Sequence, residues 1–132
     1  MLNLDFLTNE YQQMILAGLF LAPSLGKDGK PLNILHLGTG AGIMTSFLVS
    51  QLGDRVGKIT TVDLSQDMLT LGEKYFGLQN SDKVESICGD AHKFVMDCKL
   101  KGHFDIIIND INCESEDHSI SPPWSFLSED FL

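Results

Sequence analysis

Three aspartates and three glycines hold the chemistry this chain could do. Gly38, Gly40 and Gly42 punctuate a turn that follows the apolar run Asn33-Ile34-Leu35-His36-Leu37 and precedes Ile43-Met44-Thr45-Ser46-Phe47-Leu48. Glycines let a backbone turn tightly and approach a ligand closely, and a helix starting there presents its unpaired N–H groups to the same place. A nucleotide-like cofactor is the natural guest. Asp63 ends the β-branched run Lys58-Ile59-Thr60-Thr61-Val62 a little over ~20 residues beyond the turn, where a doubly wound fold puts the carboxylate that accepts ribose hydroxyls. Asp90 and Asp110 likewise follow apolar runs, so three carboxylates are expected on the rim that carries the glycine turn. For each of them a helix cap or a solvated loop residue is the plainer alternative.

The spacing of the glycines discriminates among guests. The dinucleotide fingerprint G-x-G-x-x-G/A would place its third small residue on Ile43, which fits poorly, whereas the chain reads G-x-G-x-G.

Composition narrows the field further. With 132 residues the chain is one domain at most, and nine basic against eighteen acidic residues give a net charge of −9. That field repels phosphate backbones and anionic lipid, so neither nucleic acid nor membrane is expected as a partner. A basic protein tail or a polyamine suits it, as does a surface simply kept soluble. Cys88, Cys98 and Cys113 form no C-x-x-C pair and no zinc pattern with a nearby histidine, so no metal is expected. Free thiols, an acidic N-terminus and an apolar stretch over 14–22 too short to span a bilayer suggest a soluble, cytoplasmic protein.

The elements that must position these groups follow from periodicity. Leu7, Tyr11, Met14, Ile15, Gly18, Leu19 and Ala22 recur at helical spacing, predicting an N-terminal helix over 7–22 capped by Thr8 or Asn9. Strands are expected at 33–37, 58–63, 84–88 and 104–110, with helices over 43–52, 65–76 (capped by Ser65) and 92–98 between them. The unbroken isoleucines of the fourth strand predict cover on both faces. Alternating strands and helices imply right-handed crossovers in a parallel α/β sheet, with ligands at the carboxyl ends of the strands. His36, alone in an apolar strand, is expected to be a packed core residue.

With these residues in view, the chain resembles the class I S-adenosylmethionine-dependent methyltransferase superfamily over nearly its whole length. Leu37-Gly38-Thr39-Gly40-Ala41-Gly42 resembles motif I, Val62-Asp63-Leu64-Ser65 with Met68-Leu69 the ribose segment, and Gly89-Asp90-Ala91 the adenine segment. The resemblance implies a Rossmann-like doubly wound sheet and S-adenosylmethionine as cofactor. It also implies contacts from Gln12, Gly38, Thr39, Gly40, Gly42, Asp63, Leu64, Met68, Asp90 and Ala91, with Leu64 and Met68 flanking the adenine and Asp90 accepting from its amino group. Asp110 and Asn112, after the fourth strand, are the expected contacts to the reacting group.

Within the superfamily, Tyr11-Gln12-Gln13-Met14-Ile15, Lys74-Tyr75-Phe76 and Phe104-Asp105-Ile106-Ile107 are similar to the polyamine synthases. With Ser121-Pro122-Pro123 they look more like the spermidine-synthase-like lysine methyltransferases. Polyamine synthases carry acids where this chain has Ala41 and Cys113, and an aminopropyl transfer needs carboxylates to hold cationic amines. Methyl transfer, to a protein or a small amine, is therefore the expected activity, with an aminopropyltransferase or a non-catalytic scaffold as alternatives. The superfamily sheet has seven strands in the order 3-2-1-4-5-7-6 and this chain supplies four. The expectation is a single partial domain over 1–132, truncated after the fourth strand and a following loop and short helix, that need not be active alone. The fourth strand would then be an edge, covered by a second copy or a complementing chain.

Overall fold

A computed structural model describes residues 6–19, 21, 29–97, 103–112 and 122–129. Its elements are α1 (Glu10–Leu19), β1 (Leu32–Leu37), α2 (Ile43–Leu52), β2 (Val56–Asp63), α3 (Gln66–Tyr75), β3 (Val84–Cys88), α4 (Ala91–Asp97) and β4 (Ile106–Asn109). Short 3₁₀ turns lie at Gly53–Arg55 and Trp124–Phe126. The four strands form one sheet in the order β3-β2-β1-β4, and every neighbouring pair is parallel. This is the Rossmann-like α/β arrangement that the alternation of elements predicts.

Because side chains alternate across a strand, β1 feeds two cores at once. Leu32 and Ile34 point to one face, where Met44 and Leu48 of α2, Leu16 of α1, Ile59, Ile106 and Ile108 join them. Leu35 and Leu37 point to the other, against Val62, Phe94 and Val95. Each such side chain, once buried, contributes ~1.5–3 kcal/mol. The sheet is anchored at its lower end by Asp105, which accepts from the Asn33 amide at 2.8 Å and donates its own amide back to the Asn33 carbonyl at 2.8 Å.

Two expectations give way. The isoleucine run of β4 is not covered on both faces: Ile106 and Ile108 are buried, but Ile107 is 58 % exposed. Ile107 lies on the α4 side of the sheet, and among the described residues no helix reaches across to it. The helix α1 is shorter than 7–22 and turned from its expected face. Leu7, Ile15, Leu16 and Leu19 pack on the sheet, while Met14 and Tyr11 point outward. Asn9 is its cap, accepting the Tyr11 amide at 3.0 Å. Ala22, Cys98 and Cys113 lie outside the described residues. No helix among the described residues is long and apolar enough to cross a membrane.

Candidate functional site

The glycine turn is built by the ends of three strands. As β1 runs out, the amide of Gly38 donates to the Val62 carbonyl at 2.9 Å, tying the turn to β2. On the other side the Asp110 amide donates to the Leu37 carbonyl at 2.9 Å, which brings the end of β4 under the same turn. Gly38 sits at φ 80°, and a Cβ there would stand 2.3 Å from the Asp110 carbonyl oxygen, so only glycine fits. Gly42, at φ 72°, opens α2, and a Cβ on it would meet Leu78 at 2.7 Å. At Gly40 the space is open, with only the Met68 terminal methyl at 3.9 Å.

Asp63 organises the turn from the end of β2. Its Oδ2 accepts from the Gly40 amide at 2.6 Å and its Oδ1 from the Ser65 amide at 2.8 Å. One carboxylate thus joins the glycine turn to the start of α3, and each oxygen keeps a lone pair for a further donor. Ser65 in turn caps α3, accepting the Met68 amide at 3.3 Å. Leu64 and Met68 then project apolar surface into open space, 77 % and 38 % exposed.

Beside them, Asp90 accepts the Lys93 amide at 3.0 Å and so caps α4. Its plainer reading as a cap holds, and it also lines the cleft. His92 meets Phe126 edge to face, ring centres 5.6 Å apart. The 3₁₀ turn at Trp124–Phe126 thereby closes the wall opposite the glycine turn.

These groups bound one cleft of about 1160 Å³. Of the residues expected at the site, Gly38, Gly40, Asp63, Leu64, Met68, Asp90, Ala91, Asp110 and Asn112 line it. Three others sit elsewhere. Thr39 is buried, its hydroxyl donating to the carbonyls of His36 and Val62 at 3.4 and 3.3 Å. Gly42 serves the packing against Leu78, and Gln12 is half-buried on α1 outside the cleft lining. Sequence reasoning missed His92, Pro123, Ser125 and Phe126, which form the far wall. The edge-to-face pair of His92 and Phe126 joins positions 34 apart in the chain, which no local motif announces.

At the β4 end of the cleft, Asp110 lies close enough to Tyr11 for each to shift the other's titration. Burial pushes the Asp110 carboxyl above its ordinary value, and Tyr11 partly opposes it. Burial, then the neighbouring Asp110 carboxyl, push Tyr11 up as well. Asp110 Oδ1 and Asn109 Oδ1 are buried without a partner. Beneath the turn, His36 is fully buried, its Nδ1 2.9 Å from Thr45 Oγ1 and its Nε2 unpartnered. Burial lowers its pKa from 6.5 to about 4 against the opposing pull of Asp63. It is a core residue. Among the described residues no group of histidine, cysteine and acidic side chains could hold a metal ion.

Residues 34–120, which hold the glycine turn, Asp63, Asp90 and Asp110, match the methyltransferase domain family. The chain belongs to the methyltransferase domain family. Within it, the chain is 29 % identical over 137 aligned positions to the eEF1A lysine and N-terminal methyltransferase homolog of Drosophila pseudoobscura pseudoobscura, covering 99 % of this chain and 20 % of that protein. This methyltransferase domain thus spans about a fifth of the length of that curated relative. Human methyltransferase-like protein 13, solved in complex with SAH, superposes with a TM-score of 0.78 at 23 % identity, over 93 % of this chain and 57 % of that one. A probable spermidine synthase from Corynebacterium glutamicum also superposes at 0.78 and 23 %, over 97 % of this chain and 43 % of that one. Both likenesses show that the methyltransferase fold is present.

Proposed function

We propose that this chain is the cofactor-binding part of an S-adenosylmethionine-dependent methyltransferase whose acceptor is an amine, a protein lysine being the first candidate. The observation that carries the reading is the double tie of Asp63 to Gly40 and Ser65 at the rim of the cleft. It leaves a fixed anionic acceptor beside open backbone, the pairing a ribose diol requires. The site fits the cofactor on two further counts. The space above Gly40 is one that a side chain would fill, and Leu64 and Met68 offer apolar surface where a flat base needs flanking.

When bound, S-adenosylmethionine supplies a methyl group on a sulfonium, ready for in-line displacement. The residues of the chain do the rest. Asp63 holds the ribose, Leu64, Met68 and Ala91 bracket the adenine, and Asp90 accepts from its amino group. Asp110 and Asn112 face the acceptor from the end of β4, and orientation supplies much of the rate. The lysine assignment draws support from the name of the fly relative, and the chain's net charge of −9 suits a basic protein surface.

Calorimetric titration with S-adenosylmethionine, S-adenosylhomocysteine and decarboxylated S-adenosylmethionine tests the reading. Micromolar binding of the first two, with the decarboxylated form weaker, is expected. Preference for the decarboxylated form would point to aminopropyl transfer, and no binding of any would sink the assignment.

A further inference from the structure

Just beneath the glycine turn, one row of the sheet is polar across three strands. His36 of β1 stands in register with Thr61 of β2, and Thr61 with Ser86 of β3. Residues in register point to the same face, here the one that α2 covers with Met44 and Leu48. Two residues lower on that face the row is wholly aliphatic: Ile34, Ile59 and Val84. Among the described residues six side chains keep a buried polar atom without a partner, and three of those atoms are His36 Nε2, Thr61 Oγ1 and Ser86 Oγ. Ser46 Oγ is a fourth. It lies between Gly42 and Val49 on the side of α2 that packs toward Leu78 and β3.

A cluster of orphaned polar atoms inside a packed layer is costly, and it persists where a guest supplies the missing hydrogen bonds. Bulk solvent cannot, since His36 and Thr61 are 1 % and 0 % exposed. His36 Nδ1 is already engaged with Thr45 Oγ1 at 2.9 Å. With its pKa lowered to about 4 the ring is neutral at neutral pH, so Nε2 is a lone donor or a lone acceptor. The row itself carries no carboxylate to hold a cation and no ammonium or guanidinium to hold an anion. Asp63, next on that face of β2, turns its oxygens to the Gly40 and Ser65 amides. The guest that fits is small, neutral and able both to donate and to accept, which describes water among two to four polar partners.

We propose that this row is a buried water site: an ordered water bonded to His36 Nε2 and Thr61 Oγ1 ties β1 to β2 directly beneath the glycine turn, and the Ser46 and Ser86 hydroxyls extend the site toward β3. The consequence is mechanical. The His36 carbonyl receives the Thr39 hydroxyl, and the carbonyl of Val62, next to Thr61, receives the Gly38 amide. A link between the side chains of 36 and 61 therefore braces the two strand ends from which the turn hangs. It does so with no nucleoside bound, independently of the methyltransferase reading.

Oxygen-17 magnetic relaxation dispersion on the full chain tests the site, because it detects long-lived internal water. The wild type is expected to show a dispersion that falls by about one water in Thr61→Val and is retained in Thr61→Ser, which keeps the hydroxyl. Urea denaturation adds a sign. If the Thr61 hydroxyl were simply unpartnered, a methyl of the same shape would relieve its desolvation and raise the midpoint. Loss of a water that also serves His36 Nε2 lowers the midpoint instead. Amide exchange at Gly38 should quicken in Thr61→Val and stay at the wild-type rate in Thr61→Ser. A wild type without dispersion from internal water, a dispersion unchanged by Thr61→Val, or a raised midpoint would overturn the inference. A direct hydrogen bond between Thr61 and His36 would announce itself by the second of these.

Discussion

Gly38 and Asp110 meet backbone to backbone: a Cβ on the glycine would lie 2.3 Å from the aspartate's carbonyl oxygen. The first glycine of the turn is therefore required by the end of β4 as much as by any ligand. Gly38→Ala combines a left-handed φ of 80° with that overlap, and is expected to cost about 3 kcal/mol or more in urea denaturation. Gly89→Ala, at the cleft's edge with nothing within 4 Å, is the control and should stay within about 0.5 kcal/mol.

Asp63→Asn removes the charge and turns an amide NH₂ toward a backbone N–H that now has an acceptor. Affinity for S-adenosylmethionine should fall about 10- to 100-fold by calorimetry. Amide exchange at Gly40 should quicken in the same variant, with no cofactor added.

His36 makes stability depend on pH. Between its unfolded value of 6.5 and its folded value of about 4, the unfolded chain binds a proton that the folded chain does not, so acid favours unfolding. The contribution is whole above the first value and is lost as pH falls to the second, amounting to about 3 kcal/mol. Denaturation midpoints measured across that window should slope less steeply in His36→Leu than in the wild type.

Asp110 has the opposite sign. Its raised pKa means that the fold disfavours the carboxylate, so stability falls as pH rises through its ordinary range toward the folded value. Asp110→Asn keeps the shape of the side chain and drops the charge. Its denaturation midpoint should rise above wild type at pH 7, the gain shrinking in acid, while acceptor engagement is lost.

What the sequence made legible was local. The strand, glycine turn and helix occupy adjacent positions, and Asp63, Ser65 and Asp90 each act on amides within a few residues, as capping rules foresee. The rest depended on distance along the chain. Nothing near Phe126 says that its ring meets His92. Thr39 and Gly42 share the motif's spelling, but their surroundings, the His36 and Val62 carbonyls and Leu78, turn them toward the core. The isoleucines of β4 misled because hydrophobicity reports what a strand can bury, and Ile107 faces a side of the sheet that no described helix covers.

The clamp between Asn33 and Asp105 spans 72 residues of chain, and that interval is also a delay. Ribosomes add ~5–20 residues per second, so β1 emerges about 4 to 14 seconds before the strand that pairs with its far side. During that time β2 and β3 can zip onto one edge, while the other edge, carrying Leu35 and Leu37, stands open. The nascent chain thus holds the glycine turn and Asp63 beside a strand edge that is still waiting for its partner.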